Sequence, residues 1–458
     1  MSRRVRSLLP GAAPLSRSDA EELTRRALSF STADEARVTI NGQVRGNTRF
    51  AVNQVSTGGD DSDTTITVNS AFGKKSASAT TNKLDDEGLR WVVETSERLA
   101  KLAPEDPEAM PELGPQQYQE TKGWSEATAV LDAAGRVAAV RRVTEPSRGA
   151  GLSATGYLES NGEARAVATS RGLFAYGRST VVSMTTTVRT GDATGSGWAG
   201  AAHSDWSRID PGELGARAIE KARLSANPVA IEPGRYTVIL EPTAVGNLVQ
   251  LVAFALNARG ADEGRSFFTK PGGGNKIGMK VVDERVSLVS DPLDPDAAAY
   301  TFDGDGLPVK KTVWIENGVV KNLAYDRYWA EKQGKEATPI IGSLRMSGGT
   351  DSVADMIAST ERGVLVTRFW YIRPVDPRTI LYTGLTRDGT FLIEDGKITR
   401  AVKNLRFNES PIFMLNNLEA MGEPVRVSAS EDGSPGFAIV VPPIKTRDFT
   451  FTSLSDAI

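Results

Sequence analysis

Cysteine is absent from this 458-residue chain, and histidine occurs once, as His203. The first absence excludes disulfides, thiol nucleophiles and thiolate metal ligands, and fits a reducing compartment. The second excludes any centre built from two or three imidazoles. No apolar run approaches the ~18 residues of a membrane-spanning helix, and no membrane partner is expected. Basic blocks are missing too: 54 basic and 57 acidic residues give a net charge of −3. With nothing to release counterions from a phosphate backbone, nucleic acid is not an expected partner. Arg3, Arg4 and Arg6 have no apolar core after them before Pro10 and Pro14, so the N-terminus reads as a short arm rather than an export signal. The expected localisation is cytoplasmic.

The chain is too long for one hydrophobic core, and its patterns divide into three units: 16–104, 118–228 and 232–458. In the first, Ser18-Asp19-Ala20-Glu21 has the form of a capping box. Ala20, Leu23, Ala27 and Phe30 follow at helical spacing. Ala36, Val38 and Ile40, and then Ile66 and Val68, alternate as strands do. A second helix is expected from Asp85 to Leu102, with Leu89, Val92, Val93, Ser96 and Leu99 as its buried stripe. The prolines from Pro104 to Pro115 mark a linker.

In the second unit, Ser125–Val143 reads as a helix with Val130, Ala134 and Val137 inward. Asn161-Gly162 between alternating segments signals a hairpin turn, and Thr180–Val188 a long strand. Asp210-Pro211 caps another helix. The third unit opens with the strand Arg235–Leu240. A helix from Thr243 to Asn257 follows, apolar nearly all round and so expected to be buried. Short strands fill the rest, with turns at Asn317-Gly318 and Asp395-Gly396 and one more helix over Ser410–Ala420. The fold class is α+β: N-terminal α/β units, then a strand-rich, mostly antiparallel C-terminal domain.

Few constellations offer chemistry. Pro271-Gly272-Gly273-Gly274-Asn275-Lys276 lacks the Ser or Thr that a phosphate loop needs after its lysine, which favours a surface turn. Asp303-Gly304-Asp305-Gly306 begins like a calcium loop, but Leu307 and Pro308 stand where oxygens are required; a tight turn is the simpler reading. His203, in Ala202-His203-Ser204-Asp205, is the one candidate for Ser-His-Asp chemistry, and a lone loop histidine is usually a surface polar residue.

Taken in order, several strings are jointly informative: Ser76–Asn82 before the Asp85 helix, and Ala100-Lys101-Leu102-Ala103-Pro104-Glu105-Asp106-Pro107 after it. Glu232-Pro233-Gly234-Arg235 through Glu241-Pro242, Gly264–Phe268, Asp291-Pro292, Phe302–Pro308 and Leu392–Ile398 follow, then Asn408-Glu409-Ser410 and Phe437–Ile444. In this order the chain resembles the TldD/PmbA family across about residues 18–455. The resemblance implies a two-component zinc peptidase. Its catalytic subunit carries His-Glu-x-x-x-His on the helix after the Glu-Pro strand and a cysteine ligand near the C-terminus. Here that helix, Asn247–Asn257, has neither histidine nor glutamate, and the cysteine is missing.

The resemblance therefore implies the TldE/PmbA-type, non-zinc-binding subunit. It implies no catalytic, cofactor-binding or metal-binding residue in this chain, zinc held by a TldD-like partner, and a flexible peptide as substrate of the pair. Strand edges in the third unit are candidates for pairing with that peptide or partner. Two other readings stay open: an independent homodimeric binding or scaffold protein, and a hydrolase using carboxylates or His203.

Overall fold

In a computed structural model of the chain, residues 14–339, 341–431 and 437–455 are described; the N-terminal arm expected from residues 1–13 lies outside them. The N-terminal half is built on one six-stranded sheet. Its strands are β1 (Glu35–Ala51), β2 (Gln54–Phe72), β3 (Lys75–Thr81), β4 (Ser153–Thr169), β5 (Phe174–Arg189) and β6 (Ser196–His203), in the order β3-β2-β1-β4-β5-β6. All neighbours are antiparallel. β1 of the first expected unit pairs with β4 of the second from Arg37↔Thr169 to Phe50↔Gly156, so the two units share a sheet.

Helices cover a single face of it. α1 (Arg17–Ser29) and α2 (Asp86–Leu102) pack Leu23, Leu89 and Val92 onto Val38, Ile40, Ile66 and Val68. α3 (Glu126–Ala129) is a single turn. α4 (Ala133–Gly149) and α5 (Pro211–Leu224) pack Val140, Val143, Leu214 and Ala218 onto Phe50, Leu158 and Met184. Every one of these strand positions is even-numbered, and side chains alternate along a strand, so both helix pairs lie on the same side. Aspartates set the starts of three of the helices: the carboxylates of Asp85, Asp132 and Asp210 accept from the amides of Gly88, Gly135 and Gly212 at 2.7–2.8 Å, supplying acceptors for otherwise orphan donors.

The C-terminal half holds two sheets with a helix between them. β7 (Gly234–Leu240) is central in a nine-stranded sheet, paired in parallel with Arg362–Val366 and antiparallel with Ile444–Leu454. A six-stranded sheet faces it, and apart from Ser343–Met346 beside Ala438–Val441 its pairs are antiparallel. α6 (Pro242–Ala255) joins residues of both sheets in one core: Val245, Leu248, Val249 and Val252 cluster with Val238, Leu240, Val364, Ile439 and Val441. No helix of the described residues is long and apolar enough to cross a membrane.

Several local expectations are corrected. Asn161-Gly162 is no turn; it lies in mid-strand, with Asn161 opposite Arg45 on one side and Val181 on the other. Long-range pairing on both edges overrides the local preference. The helix expected over Ser125–Val143 breaks at Val130–Asp132, where Asp132 caps a new start; Val130 is 65% exposed and Ala134 is exposed, while Arg136, Ala139 and Val140 point inward. α1 is capped by Ser16, whose hydroxyl accepts from Asp19 N, so Ser18 is already inside the helix. On α2 the buried stripe ends on Ala100, and Leu99 is exposed. The helix expected over Ser410–Ala420 spans Pro411–Asn416 and gives way to a strand, Leu418–Met421, paired with Ile444–Thr446.

Arg136 shows how tightly α4 is seated. It is fully buried, donating to Leu131 O at 2.8 Å and to Asp60 Oδ1 at 2.6 Å. A Cβ on Gly46 would lie 2.1 Å from its Nη1. Asp60 is itself exposed, but removing it leaves the buried Arg136 charge without its carboxylate, so Asp60→Ala is expected to cost about 2 kcal/mol. Gly46→Ala is expected to cost about 2 kcal/mol through overpacking. Urea unfolding of each variant beside the wild type measures both; values near zero would contradict this account of the α4 contact.

Candidate functional site

Glu241-Pro242 fixes where α6 begins: proline occupies the first turn, where no intrahelical donor is lost, and Glu241 N donates to Val366 O at 3.0 Å. The Glu241 carboxylate pairs with Lys221 of α5 at 2.6 Å, joining the two halves of the molecule. One turn on, Gly246 lets the helix approach the segment after Val425–Val427, for a Cβ there would come within 2.7 Å of Val427 Cγ2.

Asn247 follows and is 1% exposed. Its Nδ2 donates to Ala429 O at 2.6 Å and its Oδ1 accepts from Phe369 N at 3.0 Å. Gln250 Nε2 donates to the same Ala429 oxygen at 2.8 Å. Thus α6, the strand Phe369–Asp376 and the C-terminal segment meet at one buried amide. On this helix the family resemblance places the His-Glu-x-x-x-His motif. Its polar side chains here are Thr243, Asn247 and Gln250. Zinc takes imidazole, thiolate or carboxylate ligands, and the two amides facing the C-terminal segment already hold main-chain groups. The donor set of α6 does not fit the metal.

The helix is not buried all round, as its composition suggested. It ends at Ala255, and Phe254 is 62% exposed, with its ring edge-on to Phe437 at 5.8 Å. Asn257, expected to finish the helix, instead caps the short helix Ala258–Asp262.

Beside α6 lies a cluster that sequence reading missed. Arg368 is buried between the rings of Trp198 (4.5 Å) and Trp370 (5.2 Å). Its Nη2 donates to Glu431 O at 2.6 Å, and its Nη1 stands 3.7 Å from Asp388. Asp388 also accepts from Ser196 Oγ of β6 at 2.6 Å, while the Glu431 carboxylate accepts from Ile372 N. The members come from positions 196, 198, 368, 370, 388 and 431, so spacing gave no signal. The one available hint was a charge, Arg368, directly between the apolar strand Gly363–Val366 and Phe369-Trp370.

The remaining sequence candidates fall elsewhere. His203 is not a surface loop residue: it ends β6, is 8% exposed and accepts from Asp205 N through Nδ1 at 2.9 Å. Its Nε2 stands 4.0 Å from Asp296. Burial, reinforced by Arg426 and Arg208, pushes its pKa down to about 4. Asp303 uses its carboxylate to accept from Asp305 N and Leu307 N, and Asp305 pairs with Arg37 at 2.5 Å, so this acidic loop is a turn stitched to β1. Gly272, Gly273 and Gly274 all have positive φ in an exposed turn.

Two measurements test this arrangement. Asn247→Leu leaves Phe369 N without its side-chain acceptor and Ala429 O with Gln250 alone, and the expected loss is about 2 kcal/mol, read by urea unfolding; a neutral effect would refute the three-way junction. For His203 the sign follows from its lowered folded pKa. Between pH 6.5 and about 4 the unfolded chain takes up a proton that the native state refuses. That stability increment is full above pH 6.5 and is lost as the pH falls through the window. Relative to His203→Gln, the wild type is expected to lose about 2 kcal/mol between pH 7 and pH 5. Parallel pH profiles would contradict it.

Comparisons with known proteins follow the same frame. The profile of the PmbA/TldA metallopeptidase central domain matches residues 122–226, and that of the family's C-terminal domain matches 233–453. A protein named Metalloprotease from Methanothermobacter thermautotrophicus is 28% identical over 254 residues, 51% of this chain and 53% of its own length. A Metalloprotease TldD homolog of Buchnera aphidicola is 24% identical over 225 residues, 46% of this chain and 45% of its own. The chain thus spans about half the length of these curated relatives. Among solved structures, TldE from Thermococcus kodakarensis has the same fold, with a TM-score of 0.82 at 21% identity, covering 94% of this chain and 99% of that one. With two adjoining domain profiles of one family spanning most of its length, the chain belongs to the PmbA/TldD metallopeptidase family.

Proposed function

We propose that this protein is the non-catalytic subunit of a two-component zinc peptidase, acting in the cytoplasm beside a TldD-type relative that carries the His-Glu-x-x-x-His motif. The pair would act on flexible peptides, including precursors that mature by cleavage. One observation carries this reading: the polar side chains of α6 that face the C-terminal segment, Asn247 and Gln250, are committed to main-chain groups. A catalytic version of the helix needs imidazoles free to ligate a metal and a carboxylate free to act as base. Here the same surface fastens the helix to Ala429 and Phe369, a structural use incompatible with ligation. Family membership and the likeness in fold to TldE from Thermococcus kodakarensis support the assignment to the TldE-type class. In such a subunit the fold contributes surfaces, and the metal and its water belong to the partner.

The test is co-expression with a His-Glu-x-x-x-His relative, followed by co-purification, zinc analysis and cleavage of an unfolded, carboxymethylated protein. The expected result is a stable mixed complex that holds zinc and cleaves, with neither property in this chain alone. Stoichiometric zinc or cleavage by the isolated chain would overturn the proposal. Failure to form a mixed complex, with a stable homodimer instead, would favour an independent scaffold.

A further inference from the structure

A cleft of about 680 Å³ opens where β5 runs past the end of its neighbour. β6 pairs with β5 only from Val182 to Arg189, which leaves residues 174–181 as a sheet edge. Antiparallel strands direct alternate residues inward and outward for hydrogen bonding. Thr180 points outward, since its N–H donates to Gly123 O at 2.8 Å. Arg178, Tyr176 and Phe174 share its parity, so their N–H and C=O groups face the cleft. Among the described residues no main-chain partner meets them. Residues 116–122 form the opposite wall and stop short of pairing with the edge.

The charge of the cleft is one-sided. Arg17 enters from the first turn of α1 and lies over the Phe174 ring at 5.3 Å, and Arg178 lies over the Trp124 ring at 4.3 Å. Both side chains belong to exposed residues, and neither forms an ion pair among the described residues. Lys122 adds a third cation, and Glu120, the single carboxylate among the described residues that line the cleft, is 3.7 Å from it. Guanidinium groups held on aromatic faces are oriented in advance and available to carboxylates. A free strand edge recognises an extended main chain, and side chains two residues apart decide which chain is accepted.

We propose that this cleft binds an extended acidic peptide segment, which adds as a strand along Phe174–Arg178 while its alternate Asp or Glu side chains meet Arg178 and Arg17. The volume lies within the range of ligand sites, about 300–1,000 Å³. The chain's own N-terminus is a poor occupant on charge grounds, because residues 1–13 carry Arg3, Arg4 and Arg6 and no acid. As a substrate class, an acidic segment rests on the peptidase-subunit reading; as a binding site, the cleft stands on the isolated chain.

The test uses the full-length chain alone, titrated with a fluorescein-labelled octapeptide of alternating Glu with Gly or Ser, read by anisotropy. Three probes accompany it: the same peptide with Gln for Glu, a Lys-for-Glu peptide, and inorganic phosphate as competitor. The expected result is saturable binding of the Glu peptide. Its Kd should rise at least tenfold in the Arg17→Gln/Arg178→Gln double variant and at least tenfold with the Gln peptide, and salt should weaken it. Both substituted side chains are exposed, and an unchanged thermal unfolding curve verifies the fold.

Undiminished affinity in the double variant, no binding at millimolar peptide, equal binding of the Lys peptide, or phosphate competing as strongly as the peptide would each overturn the proposal. So would a double variant that loses the mixed complex but keeps its peptide affinity, since the cleft would then belong to the partner subunit. The two proposals fail separately. Peptide binding by the isolated chain is readable whether or not a complex forms, and a complex that forms and cleaves without such binding removes the cleft alone.

Discussion

The C-terminal half depends on saturating one buried side-chain amide. The face of a helix that packs between two sheets is dry, so each polar atom on that face must find a partner inside the protein or cost about 1–3 kcal/mol. Asn247 meets that demand with both ends of its amide, tying the strand that starts at Phe369 and the segment at Ala429 to the same turn of α6. Gln250 strengthens the second tie. The apolar residues around them, Val245, Leu248, Val249 and Val252, provide the burial, and the amide fixes register. A single position thus decides both how the sheets are held together and which chemistry α6 can host.

The two halves of the molecule meet through charges and through a small apolar cluster in which Phe302 joins Val167, Leu173 and Ala175. Lys221 with Glu241, Arg37 with Asp305, Arg259 with Glu108, and Ser196 with Asp388 all cross between them. The Arg368 contact is the most enclosed, sandwiched by Trp198 from the N-terminal sheet and Trp370 from the C-terminal one. At that contact Arg368 and Asp388 are both nearly dry, and charges buried in this way demand matched partners. Such a joint specifies one relative placement of the halves more sharply than apolar contact alone.

Where local chemistry and tertiary packing agreed, the sequence was readable. Asp85 and Asp210 announced their helices, and Asn317-Gly318 and Asp395-Gly396 their turns, because a cap or a tight turn is set by its own few residues. Asn161-Gly162 misled for the opposite reason: its surroundings are strand on both sides, supplied by residues more than a hundred positions away and about twenty away. His203 was mistaken for a surface residue because it ends a buried strand and has Asp296, far along the chain, 4.0 Å away. That α6 carries neither histidine nor glutamate was legible, since it needed only residue types. The junction built on Asn247 was not, because its acceptor and donor are main-chain groups of Ala429 and Phe369, which leave no mark in side-chain identity.

The pairing of β1 with β4 has a temporal side. Contacts such as Val38↔Ala168 span more than a hundred residues, and closing so long a loop is entropically slow. During synthesis the β1–β2 hairpin, α1 and α2 emerge well before β4 exists to cover the inner edge of β1. For that interval the nascent chain presents an open sheet edge with alternating apolar residues, a surface prone to pairing with other chains. Contact order thus places the period of greatest aggregation risk before residue 169 has left the ribosome, and makes β4 the strand whose arrival ends it.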